Sequence, residues 1–267
     1  MAIKRVNKPV VFVPDIHDDP YILEMGDFKG AKSIALVSES PPGWGKEFAL
    51  FNEYSAVYSS FPKLDYVTEK NKKSFRDIVD FYEKTNELLQ KQNSAQANAL
   101  LNLREKLFNL TVEVDFSRKT EFTPGKMYTL RLIYLIERAI DFGIKITAYT
   151  GDYRANTSAQ NFVKSHESEI RAAENKFIQL PGAPKIDTQL LIRYGAYAYG
   201  FYRLINGLQQ QMILHIVGAN HIPDCAAFLE SYQIFEPKYA RSTDLVANIR
   251  RILPVHVALW KEIFEIE

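Results

Sequence analysis

Pro9-Val-Val-Phe-Val-Pro-Asp-Ile-His-Asp-Asp-Pro20 and Met212-Ile-Leu-His-Ile-Val-Gly-Ala-Asn-His-Ile-Pro223 lie nearly a whole chain apart and share one design. Each is a short apolar run, rich in β-branched residues, that ends on a polar turn holding a histidine. Unbroken apolar runs of this length read as strands buried on both faces, the habit of a parallel sheet covered by helices. In such sheets ligands bind at the carboxyl ends of the strands. His17 and His221 are therefore the first candidates for a site.

Ser33-Ile-Ala-Leu-Val-Ser38 is a second strand, closed by Glu39-Ser-Pro-Pro-Gly43. The interval from Val10–Val13, including a short Tyr21–Gly30 crossover, has room for a parallel βαβ unit. Ile144–Tyr149, Met212–Val217 and Gln233–Phe235 complete a set of five strands. Thr123-Pro124 is a capped helix start, and Gly143 is the stop of that helix. One polar helix is expected over Ser158–Phe177. A long helix, apolar nearly all round, is expected over Asp187–Gln211, and a short one over Pro223–Tyr232. A C-terminal helix over Ile249–Ile266 contains Pro254, which either kinks it or opens its second part. Residues 47 to 115 read as a helical insertion with a bend near Asn93–Gln96. The expected fold is a single α/β domain spanning 1–267, a mainly parallel sheet flanked by helices.

Composition is that of an ordinary globular protein, 46% hydrophobic and 24% charged, with a net charge of +1. It gives no electrostatic case for nucleic acid. The one basic cluster, Lys70–Lys73, reads as a solvated helix start. No run reaches the roughly 18 apolar residues of a membrane span. The lone Cys225 rules out an internal disulfide and a cysteine-based zinc cluster, and reads as a small buried residue. The start of the chain has no secretory signal, so the expectation is a cytoplasmic protein or one exported without a classical signal. The expected partner is a small-molecule or peptide substrate.

Asp15 and His17 project to one side because strand side chains alternate. A carboxylate beside an imidazole orients it and raises its basicity, which suits a general base or a metal ligand. Asp18 and Asp19 read as caps of the next helix. Glu39 ends a buried strand with no packing rationale, and one strand spacing of about 5 Å is expected between it and His17. Asp152 and Arg154 follow the third strand and could hold substrate or orient Glu39. Gly218 is expected to let the chain turn sharply. It delivers His221 to a helix N-terminus, where the dipole favours the neutral imidazole. His215 and His256 read as core histidines and His166 as exposed. Phosphate-loop, dinucleotide, serine-hydrolase and zincin motifs are absent.

Pro14-Asp-Ile-His17, Val37-Ser-Glu39 and Gly218-Ala-Asn-His221 stand in the order of the three motifs of the erythromycin-esterase, ChaN and TraB/Tiki superfamily, which the chain resembles. Asp18-Asp-Pro20 is similar to the continuation of the first motif in ChaN-type members. Pro14-Asp15 stands where that superfamily carries Gly-Glu. The resemblance implies a hydrolase with a His–Glu–His cleft of His17, Glu39 and His221. These residues would activate water, alone or as ligands of a divalent metal. The alternative it implies is a non-catalytic haem or small-ligand binder, or a toxin or effector domain on the same scaffold. Asp15-Ile-His17, Gly151-Asp152 and Asn220-His221 also resemble blocks of calcineurin-like metallophosphoesterases, with His256 as the remaining histidine.

Overall fold

The structure is a computed structural model that describes residues 2–15, 28, 30–39, 45–62, 75–110, 124–151, 156–236 and 244–267. His17, Asp18, Asp19, Lys70–Lys73, Asp152, Arg154 and most of the Tyr21–Gly30 crossover lie outside these residues.

Five strands form one parallel sheet: β1 (Val10–Asp15), β2 (Ser33–Ser38), β3 (Lys145–Thr150), β4 (Met212–Gly218) and β5 (Tyr232–Ile234). The predicted α/β architecture is present, and each strand lies within two residues of its expected bounds. The strand order is β3-β2-β4-β1-β5. β1 and β2 are therefore parallel but not adjacent, because β4 lies between them. Glu39 and the β1 end are two strand spacings apart, about 9–10 Å, not the single spacing expected from sequence.

Helices cover both faces. α1 (Gly45–Ser59), α2 (Phe75–Gln92), α3 (Ala95–Leu110) and α4 (Pro124–Asp141) pack on one. α5 (Thr157–Lys164), α6 (Glu167–Ala173), α7 (Thr188–Gly207), α8 (Ile222–Ala226) and α9 (Leu245–Ile263) pack on the other. Alternation divides the strand side chains: Val11, Val13, Ile34 and Leu36 face α1–α4, while Val10, Phe12, Ala35 and Val37 face α5–α9. The described helices between residues 47 and 115 thus form this layer together with α4.

Local chemistry sets the helix ends. Gly143 has φ +75° and stops α4, while Asn93 has φ +43° and separates α2 from α3. The Asn156 and Asp187 side chains cap α5 and α7. The single polar helix expected over Ser158–Phe177 is three pieces. Ser165 Oγ and His166 Nδ1 both reach the Phe162 carbonyl, and His166 has left helical geometry at ψ 19°. The His166 ring packs on Phe162 and Phe264, so it is half-buried and not exposed. Pro254 lies inside an uninterrupted α9. Among the described residues, no helix is long and apolar enough to cross a membrane.

Candidate functional site

Strand order fixes where the sheet opens. After β2 the chain passes to α1 on one face, and after β4 it passes to α8 on the other. β2 and β4 are neighbours, with Ser38 opposite Ile216. The helices that follow them, α1 and α8, therefore lie on opposite faces of the sheet. This is the topological switch point at which open α/β sheets bind ligands.

Glu39 and His221 meet there. The Glu39 amide continues the ladder by donating to the Ile216 carbonyl at 2.9 Å. Its carboxylate turns toward the α7 face, where Oε2 accepts from the Gly218 amide at 2.8 Å. Oε1 faces His221 Nε2 at 3.7 Å. That is too long for a direct hydrogen bond and within ion-pair distance when the imidazole is protonated. Gly218 has φ −51° and ψ 132°, backbone that any residue adopts. Glycine is needed for proximity and not for a sharp turn: a Cβ there would sit 3.0 Å from Glu39 Oε2.

His221 closes a 3-10 turn, Ala219–His221, and stands at the N-cap of α8. The expected helix at Pro223–Tyr232 is shortened to these five residues. Two tyrosines one turn apart on α7 hold the ring. Tyr197 stacks on it at 4.2 Å between centroids and 19° between planes, and Tyr194 meets it edge-on at 4.8 Å. In sequence both tyrosines are indistinguishable from core filler. The available signal was that buried phenol hydroxyls need partners.

Asp15 lies at the same edge but belongs to the α4 face by alternation. Its Oδ1 pairs with Arg131 at 2.9 Å, and both side chains are largely buried. Tyr128, one turn before Arg131, shares this cluster. Burial pushes its phenol well above its ordinary value, with Asp15 and Glu39 adding to the effect. Sequence reasoning missed Arg131 and Tyr128, which sit in a helix that reads as scaffold.

Behind the crevice, Asp224 of α8 accepts from Trp260 Nε1 at 2.7 Å and faces His256 Nδ1 at 2.9 Å. His256 Nε2 faces the Ile178 carbonyl at 2.8 Å. Both ring nitrogens point at acceptors, an arrangement that favours the doubly protonated imidazolium. Burial opposes that charge, but Asp224 and the Ile178 carbonyl outweigh it and raise the His256 pKa. A raised folded-state pKa gives stability that is full below the unfolded value of about 6.5 and is lost as pH climbs through the folded value. Urea midpoints should therefore show native chain and His256→Gln diverging at pH 6 and converging toward pH 9. A difference independent of pH would contradict the imidazolium assignment.

Among the described residues, no three of His, Cys, Asp and Glu converge as metal ligands. Glu39 and His221 supply two donors. Cys225 is fully buried, and burial raises its thiol pKa, with Asp224 next. In comparisons with family models, curated proteins and solved structures, nothing matches this chain.

Proposed function

We propose that the chain is a water-activating hydrolase of the erythromycin-esterase/ChaN/TraB type, acting at the crevice between β2 and β4 on a small-molecule or peptide substrate. The observation that carries this reading is the Glu39–His221 pair at the switch point. A carboxylate and an imidazole separated by 3.7 Å can share one water within hydrogen-bond reach of both. In the proposed step, the water oxygen attacks a carbonyl carbon and its proton passes to His221 Nε2. His221 then returns the proton to the leaving oxygen, giving an acid and an alcohol. Glu39, held by the Gly218 amide, orients the water and stabilises the imidazolium. His17 is the second histidine of the set, and Asp15 at the end of its strand supplies nearby charge. Asp152 and Arg154 hold the substrate. Glu39 and His221, with His17 as a third donor, would hold a divalent metal if one is bound, and it would lower the pKa of a bound water.

Geometry disfavours the metallophosphoesterase reading. Asp15 and Gly151 terminate strands three spacings apart, about 14 Å. Both His256 nitrogens are engaged by Asp224 and Ile178.

p-Nitrophenyl butyrate is a direct probe. The native chain should hydrolyse it. His221→Ala and Glu39→Gln should each lower kcat/KM by about 10²–10⁴-fold, the usual worth of a general base, with unfolding midpoints nearly unchanged. Unaltered turnover in both variants would sink the reading. An inert native chain whose absorbance shifts on haem titration would favour the binding protein instead.

A further inference from the structure

Tyr197 is the residue on which the crevice is built, although it takes no proton in the scheme above. It is 2% exposed and lies in α7, one turn after Tyr194. Its ring lies parallel to His221, with centroids 4.2 Å apart. Its hydroxyl is 3.1 Å from Nε2 of His215, in the middle of β4. His215 is fully buried and stacks on Phe201 at 4.2 Å. Burial depresses the His215 pKa well below its ordinary value, with His221 adding to the effect, so His215 is a neutral, fixed partner. On the side of β3, Gly151 comes so close that a Cβ there would lie 3.2 Å from the Tyr197 hydroxyl. The tyrosine is thus pinned at its far end by β4 and crowded by the end of β3, and it presents its flat face to His221.

His221 sits on a 3-10 turn, with its Nε2 3.7 Å from Glu39 Oε1. A misplacement of about 1 Å in a catalytic group can cost a hundredfold in rate. With Tyr197 on one face and the Tyr194 edge on the ring, the imidazole keeps the rotamer that points Nε2 at Glu39.

We propose that Tyr197, anchored by His215, is a positioning residue that holds the His221 ring against Glu39. Its purpose rests on the hydrolase reading, whereas its geometry is tested without any substrate. In the native chain, nuclear Overhauser cross-peaks should connect the His221 ring protons with the Tyr197 ring and with the Glu39 side-chain protons. Tyr197→Leu should lose the His221–Glu39 cross-peaks while amide resonances away from the crevice stay in place. Tyr197→Phe, which keeps the ring, should restore them. Tyr197→Met fills similar space with an adaptable side chain. It carries the same expected loss if the leucine variant does not fold. Retention of the His221–Glu39 cross-peaks in the leucine or methionine variant would overturn the positioning role and leave the pair and the hydrolase reading standing. Their absence from the native chain would remove both.

Discussion

Arg104→Leu should destabilise the protein by roughly 3–5 kcal/mol, the cost of leaving a buried charge without its partner. Arg104 of α3 is 1% exposed, and its guanidinium pairs with Glu137 of α4, whose side chain is 0% exposed. The same group donates to the Tyr54 hydroxyl of α1 at 2.8 Å and to Thr85 Oγ1 of α2 at 2.9 Å. Tyr54 in turn donates to Glu137, and the Tyr82 ring lies 5.0 Å from the guanidinium carbon. One cation thus ties together the four helices of a layer. Glu137→Leu should cost a comparable amount, because it strands the arginine. The double variant Arg104→Leu/Glu137→Leu should cost less than the sum of the two, since no unpaired charge remains. Urea unfolding of the three variants measures this. Strict additivity would show that the charges do not act as a pair.

Asp224→Ala should combine a stability loss of similar size, about 3–5 kcal/mol, with a loss of activity. The carboxylate is fully buried and holds both the Trp260 indole and the His256 imidazolium. Alanine leaves the buried His256 Nδ1–H and the Trp260 indole N–H without their acceptor. Asp224 is also the link between α8 and α9, and α8 begins one residue after His221. Releasing that link frees the support of His221, so kcat/KM on p-nitrophenyl butyrate should fall even at temperatures where the variant is folded. Calorimetry and turnover on the same preparation test both halves. Full activity in a destabilised variant would make Asp224 a packing element only.

The strands were legible because apolar β-branched runs between polar turns leave few alternatives, and Gly143 and Pro124 marked the ends of α4 as expected. Their lateral order was not legible. It depends on which face each crossover takes, and periodicity within a strand carries no such information. That order moved Glu39 from the neighbour of β1 to the neighbour of β4. It thereby made Glu39–His221 the observed pair. Gly218 was singled out correctly for the wrong reason: its backbone is ordinary, and the Glu39 carboxylate needs the space. Arg104 stayed hidden because one charge within the helical block at 47 to 115 gives no cue in sequence that tertiary packing turns it inward. Tyr194 and Tyr197 stayed hidden because a helix apolar all round gives no cue to which aromatic faces a site.

The most direct test of the crevice is a crystal structure of the chain purified without chelator, read for the distances among His17, Glu39 and His221. The account predicts that the His17 imidazole joins the other two, with all three converging within about 3–6 Å around a water or a metal. Glu39 and His221 separated beyond that range, or His17 directed away from them, would contradict it.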